Sequence, residues 1–380
     1  MPAEMRICLF AFLFWFASLL SSGQTFLRPD HPDIRYTGAF FSDRSDSLVV
    51  FLRHSPSFLS LPPHVSLASA AKARTTTGVT VSLRTGAEGV KAWFRMMKGQ
   101  NRRMFSFTCY VDGDSTALLK QKRDLLTEEG DSLFALVLPV PGDGAVHTYR
   151  LVLPVLSTPA FAGITLTGEH ASLQQLPPAD KPLYLAYGNS ITHGQGQFTG
   201  DQTWPWVLAG QMGWELCNLA VGGSKTSLPM ARMIAREITR PVDYMTILIG
   251  FNDAVFLMID TATYRRRLTA FIKTVRRGHP ETEIFLLGQT YTEKKKDKAG
   301  NPLHFDEWRK VQREVAESFV AGGDGKIHFI NGAGLTDHAD LKNPPRDVVH
   351  LSVAGAARFG KSLADTIRTI LDNTPGDHGR

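Results

Sequence analysis

The chain has 380 residues, 43% of them apolar and 21% charged, with a formal net charge of +6. This is the composition of ordinary globular protein, with material for about two domains and a sizeable core. The charge is modest, and no recognition-helix pattern or aromatic interleaving of basic residues accompanies it, which excludes a nucleic-acid surface and supports an acidic polymer only weakly.

Residues 1–23 stand apart from the rest. Arg6 precedes an almost wholly apolar run over 7–20, and Ser21-Ser22-Gly23 then offers small residues for cleavage before Gln24. This is the pattern of a secretory signal peptide, so a secreted or periplasmic protein is expected. The run is short for a spanning helix, which needs about 20 residues, and no integral membrane segment is expected after cleavage. Cys8 lies too early for a lipid-attachment site. Removing Glu4 and Arg6 together leaves the charge at +6. Cys109 and Cys217 remain, both in strand-like runs in different halves, and read as buried free thiols rather than a disulfide or metal pair.

From Phe26 to Leu176 the apolar pattern has period two. Runs at 47–52, 78–83, 104–111, 132–138, 148–153 and 163–167 read as strands, separated by turn chemistry at Asp112-Gly-Asp and Pro141-Gly-Asp-Gly. Short strands at such spacing, with few convincing helices, predict an antiparallel β-sandwich over 24–176, jelly-roll-like and smaller than the second half of the chain. Residues 177–182, Pro-Pro-Ala-Asp-Lys-Pro, form a stiff linker because proline fixes φ.

Over 183–372 strands and helices alternate, with 373–380 a tail. Strands are expected at 183–187, 216–221, 244–250, 283–288 and 326–330. Helices are expected at 204–212, 229–238, 264–277, 305–321 and 352–371. Continuous apolar strands joined by crossover helices imply a parallel sheet covered on both faces, a three-layer α/β/α domain.

In such a sheet the strand C-termini share one edge, where ligands bind. Four short blocks stand there: Gly188-Asn-Ser190, Gly222-Gly223, Gly250-Phe-Asn252-Asp253, and Asp347-Val-Val-His350 before the last helix. Alone, each has a plain structural reading: a capped turn, a glycine turn, a helix cap and a surface ion pair. Their order and joint position argue otherwise. Together with Thr203-Trp-Pro-Trp206 and His350-Leu-Ser-Val-Ala-Gly355, they resemble the SGNH (GDSL) hydrolase family over residues 183–370. The Gly-x-Ser-x-Gly elbow of ordinary α/β-hydrolases is absent.

The resemblance implies a serine esterase. Ser190 would be the nucleophile, His350 its base, and Asp347 the group that orients the imidazole. The backbone N–H groups of Ser190 and Gly223 and the side-chain amide of Asn252 would hold the oxyanion. His193 and Trp204 are candidate substrate contacts, though a solvated loop histidine is an equal reading of the first. Asp337, His338 and Asp340 form a rival acid/base cluster that matches no family position. Asn189 departs from the family's Gly-Asp-Ser and removes a charge beside the nucleophile. No metal or organic cofactor is implied. A β-sandwich before the hydrolase resembles two-domain carbohydrate acetylesterases, which makes a glycan ester the expected substrate. A lipid or general short-chain ester, or an inactive glycan-binding scaffold, are the alternatives.

Overall fold

The computed structural model describes residues 23–102, 105–114, 132–169 and 171–373. The expected signal peptide, apart from Gly23, and the tail beyond Asn373 lie outside them. Strands β1 (Gln24–Leu27), β2 (Arg35–Thr37), β3 (Phe41–Ser45) and β4 (Leu48–Leu52) open the chain. They are followed by β5 (Thr80–Thr85), β6 (Gly89–Met96), β7 (Thr108–Val111) and β8 (Ser132–Val137), then β9 (His147–Val152), β10 (Pro159–Thr167) and β11 (Leu173–Gln174). One antiparallel sheet has the order β3-β4-β10-β6-β8, with β1 also on β10. The other has β11-β5-β9-β7, with β2 on β5.

The two sheets enclose one apolar core. β6 carries the pattern plainly: Val90, Ala92, Phe94 and Met96 are buried, while Lys91, Trp93 and Arg95 face outward. Phe94 anchors an aromatic cluster, with the rings of Phe107, Phe161 and Phe134 centred 4.8, 5.4 and 6.1 Å away. Cys109 and Cys217 are both free and buried, and burial pushes both thiols up to about 12.

The sequence pattern does not announce the segment between β4 and β5. Here three one-turn helices, α1 (Pro56–Leu59), α2 (Pro63–Ser66) and α3 (Ala70–Ala73), leave the sandwich. Ser55 and Ser69 cap the first and third through side-chain bonds to the N–H groups of Phe58 and Lys72. Leu52, Phe58, Leu59, Ala68 and Ala73 enter the apolar core of the second half, alongside Leu219, Met233 and Ile234.

That half holds a five-stranded parallel sheet. Its strands are β12 (Leu183–Gly188), β13 (Glu215–Asn218), β14 (Tyr244–Leu248), β15 (Glu283–Leu287) and β16 (Ile327–Ile330), in the order β13-β12-β14-β15-β16. Its helices are α4 (Ser190–His193), α5 (Trp204–Met212), α6 (Leu228–Glu237), α7 (Thr261–Gly278), α8 (Phe305–Ala321) and α9 (Val353–Asn373). β12 is buried along its whole length. Tyr184 and Ala186 face α5 and α9, meeting Trp204, Leu208, Phe359 and Leu363. Leu185 and Tyr187 face α6, α7 and α8, where Tyr187 stacks on Phe271 with centroids 4.7 Å apart. The three-layer domain and the antiparallel sandwich before it are therefore both present. A two-stranded antiparallel hairpin, β17 (Leu341–Asn343) and β18 (Asp347–Leu351), leads into α9.

The strand expected over 216–221 stops at Asn218. Arg53 takes the carbonyls of Asn218 and Ala220, and His54 stands against that of Leu219, so the backbone cannot continue the ladder in full.

Because residues from α1–α3 complete the second core, a chain beginning at residue 177 should not fold by itself. Burying a side chain such as Phe58 or Leu59 contributes about 1.5–3 kcal/mol each, and their loss would leave the α6 face open. The expected outcome is aggregation, or loss of near-ultraviolet circular dichroism and of a cooperative melt. A soluble, cooperatively melting fragment would show that the excursion is dispensable.

Candidate active site

β12 delivers Ser190 to the C-terminal edge of the parallel sheet. Gly188 must be small: a Cβ there would stand 2.2 Å from the Thr192 hydroxyl and 2.9 Å from the Leu248 carbonyl. Asn189 then leaves the strand and caps α4, its Oδ1 accepting the Ile191 N–H at 3.0 Å. The Ser190 hydroxyl lies 2.8 Å from His350 Nε2.

His350 and Asp347 share β18, where strand spacing alone would separate i and i+3. The hairpin register prevents that. Leu341 pairs with Leu351 and Asn343 with Asp347, so two steps on β17 face four on β18. The surplus forms a bulge that curls the strand. Asp347 Oδ1 accepts the N–H groups of Val349 and His350, at 3.3 and 3.1 Å, and both carboxylate oxygens lie 3.0 Å from His350 Nδ1. With Nδ1–H donating to Asp347, Nε2 is the bare nitrogen that can accept the serine proton. Burial lowers the His350 pKa; Asp347 opposes this, while Lys342 and Arg102 lower it further. Burial acts to raise Asp347, but the N–H and imidazole of His350 overcome it, and its carboxyl is held below the usual range.

Gly223 and Asn252 border the same cleft. Gly223 has φ +87°, in the region that favours glycine, and open space where a side chain would be. Asn252 is buried and donates to the Ser224 carbonyl at 2.8 Å, which leaves its second amide hydrogen for the cleft. The next residue, Asp253, ties this block to the Gly223 loop by accepting the Thr226 N–H at 3.0 and 3.1 Å. Burial pushes its carboxyl up to about 6, against the pull of the Thr226 bonds.

His193 borders the cleft, but it is not a solvated loop residue. It is fully buried; Nδ1 accepts the Gly222 N–H at 3.0 Å and Nε2 lies 2.8 Å from the Thr75 hydroxyl. Thr75 spends its own proton on the Lys72 carbonyl, so Nε2 carries the proton. Burial first, then Arg53 and other cations, lower the His193 pKa well below the ordinary value, so the ring is neutral. It holds the backbone next to Gly223.

Trp204 does not border the cleft. It is fully buried beneath the sheet, with its ring 5.2 Å from that of Phe359. An indole whose apolar helix face meets α9 belongs to the core. The rival cluster is structural: Asp337 and Asp340 form a capping box and His338 pairs with Glu293 at 2.6 Å.

Two neighbouring residues of the first half are not singled out by the sequence. Arg53 is fully buried and donates to the carbonyls of Asn218, Ala220 (3.0 Å) and Thr75 (2.6 Å). His54 stands 3.0 Å from the Leu219 carbonyl. Both therefore brace the loop that ends in Gly223. Their only sequence signal is a cation and an imidazole directly after an apolar strand. The resulting cleft has a volume of about 690 Å³ and is bordered by both halves of the chain. Among the described residues, no cluster of three or more His, Cys, Asp or Glu side chains could hold a metal ion.

Residues 186–358 match the model of the GDSL-like lipase/acylhydrolase family. Among solved structures, a salicylyl-acyltransferase from a tetracycline biosynthetic pathway superposes with a TM-score of 0.76 at 22% identity, over 94% of this chain and 99% of that one. A family two carbohydrate esterase from Cellvibrio japonicus gives 0.65 at 14%, over 92% and 98%. An acetyl xylan esterase from the rumen bacterium Butyrivibrio proteoclasticus gives 0.63 at 12%, over 92% and 99%. At these identities the likeness is one of fold, and it extends over both halves. No curated protein sequence matches the chain.

Two measurements probe this arrangement. Only neutral His350 can accept a proton, so kcat/KM should rise with pH through a midpoint below 6.5 and level off above it. Removing the Lys342 charge relieves a repulsion on the imidazolium, so Lys342→Gln should move that midpoint upward. A midpoint unmoved or lowered would show that Lys342 does not act on His350. His193→Phe keeps the ring volume but leaves Gly222 N–H without its acceptor. It should lower kcat by roughly 10–100-fold with little change in KM, less than the ~100–1000-fold typical of losing an oxyanion donor outright. An equal change in both parameters, or in neither, would mean that His193 does not position the oxyanion loop.

Proposed function

We propose that this chain, a carboxylic ester hydrolase with a GDSL-like lipase/acylhydrolase domain, removes acetyl groups from carbohydrate through Ser190, His350 and Asp347. The observation that carries this reading is the unbroken chain of contacts from the Ser190 hydroxyl through His350 to Asp347, beside Gly223 and Asn252 on one cleft. As Ser190 attacks the ester carbonyl, His350 takes its proton and Asp347 stabilises the imidazolium. The carbonyl oxygen becomes an oxyanion held by the N–H groups of Ser190 and Gly223 and the Asn252 amide. When the tetrahedral adduct collapses, His350 returns the proton to the departing alcohol, leaving an acyl-serine. Water then attacks, activated by the same nitrogen, and the carboxylic acid leaves.

The substrate part of the proposal rests on the cleft. Its apolar side chains, such as Leu156, Phe251 and Phe256, alternate with Gln100, Gln195 and charged residues, a lining suited to a hydroxyl-bearing body and a small acyl group. The carbohydrate esterases with the same two-part fold point the same way. Export, read from residues 1–23, would bring the enzyme to extracellular or periplasmic glycans.

Acetate release from acetylated oligosaccharides should exceed release of medium-chain acids from lipid or nitrophenyl esters. The reverse order would favour the lipid or general esterase reading. Ser190→Ala should abolish turnover while leaving the thermal midpoint within a few degrees, since the hydroxyl supports no fold contact other than His350. Retained turnover would remove Ser190 from the mechanism.

A further inference from the structure

The cleft is unevenly charged. Lys72, Arg102, Lys294 and Arg346 border it, and the only carboxylate among its lining residues is Asp347, which is already engaged by His350. The cations come from both halves and are held there by the fold. Lys72 lies on α3 against the oxyanion loop, with its ammonium 3.7 Å from where a Cβ on Gly222 would stand. Arg102 is fixed through its bonds to the Gln197 carbonyl and to Gln195 Oε1, the latter at 3.1 Å. The backbone leading to Lys294 is laid along the His350 hairpin, because Thr292 Oγ1 and the Glu293 N–H both donate to the Val348 carbonyl, at 2.8 and 3.2 Å. Arg346 directly precedes Asp347. Among the described residues, none of these four cations has a carboxylate within ion-pair distance.

We propose that the alcohol part of the substrate is anionic: a sugar carrying carboxylate or sulfate groups, bound by these four cations of the cleft that holds Ser190. This rests on the acetylesterase reading above, since an acetyl group is uncharged and the negative charge must then sit on the alcohol. A neutral glycan would leave four like charges in one cleft with no carboxylate among the described residues in ion-pair distance. An anionic chain lying in it would have Lys72 and Arg102 from the first half and Lys294 and Arg346 from the second within the same lining. Each contact between partly exposed charges is modest, and the sum is sensitive to salt.

The test uses the mature enzyme and three acetylated oligosaccharides: an oligogalacturonide, its carboxyl-reduced neutral counterpart, and a sulfated oligosaccharide. The expected result is a kcat/KM at least roughly tenfold higher for the acidic substrates than for the neutral one, carried by KM and shrinking as salt is added. Preference for the galacturonide alone would name carboxylate as the anion, and for the sulfated substrate alone, sulfate. The double variant Lys294→Gln/Arg346→Gln should lose most of this preference while hydrolysing 4-nitrophenyl acetate within about twofold of the parent. The proposal is overturned if the neutral substrate is cleaved as well as the acidic ones, or if the double variant slows all substrates alike. It is also overturned if the preference follows a charge on the acyl group, as with a hemisuccinate of a neutral sugar. Failure to cleave even 4-nitrophenyl acetate would instead strike the hydrolase reading. In that event calorimetric binding of the unmodified acidic and neutral oligosaccharides decides the charge preference separately.

Discussion

The two halves of this protein meet through a buried guanidinium that has no carboxylate. Arg53 leaves the end of β4 and is enclosed by backbone carbonyls of its own excursion and of the loop after β13. Burying a cation is costly unless its donors are satisfied, and here all three nitrogens find acceptors. Burial brings its pKa down to about 10, so it still carries its charge near neutrality. A guanidinium suits this role because its planar fork can serve several fixed carbonyls at once, which an ammonium cannot match in geometry. The consequence reaches the chemistry. The carbonyls it holds belong to residues 218 and 220, and the same loop, held also by His193 on Gly222, presents Gly223 to the cleft. The first half of the chain is therefore part of the apparatus that fixes the Gly223 loop as well as a neighbour of the second half.

A second constraint lies in the hairpin. An Asp and a His three apart on a regular strand would point to opposite faces, yet the bulge between Leu341 and Asn343 turns their side chains toward each other. Two backbone N–H groups bind the carboxylate before the imidazole does. Asp347 is thus oriented by its own chain, and His350 is oriented by Asp347. The chain of support runs from register to carboxylate to imidazole to serine, with no long-range contact needed for its first steps.

Much of this is legible in the sequence because residue type and strand end coincide. Serine, glycine and asparagine after successive strands carry meaning only when the strands are parallel, and the apolar runs at 183–187, 244–250 and 283–288 declare that. The failures have separate physical causes. Trp204 reads as a substrate contact because it adjoins a motif, but adjacency in sequence does not fix direction: α5 turns the indole onto Phe359. The excursion at 56–73 is built of one-turn helices too short to show a 3.6-residue period. β6 alternates cleanly, but its outward Lys91 and Arg95 mask a strand whose other face is wholly buried. Arg53 can be recognised only once its acceptors, more than 160 residues away in sequence, have a position.

Asn189 acquires a physical meaning in this setting. Its Oδ1 caps α4, while its Nδ2 is buried with no partner among the described residues. The cap needs one acceptor, and a carboxylate would supply it equally well, so the local fold does not demand an amide. A carboxylate here would, however, place a second buried negative charge one residue from the nucleophile. That charge would stabilise the imidazolium of His350 and raise its pKa, and it would oppose the negative charge that develops on the substrate oxygen. With asparagine in place, Asp347 is the lone carboxylate among the residues lining the cleft, and Lys342 and Arg102 lower the His350 pKa without a second carboxylate to oppose them. The neutral residue and these two cations work in the same direction: both disfavour the protonated form of His350.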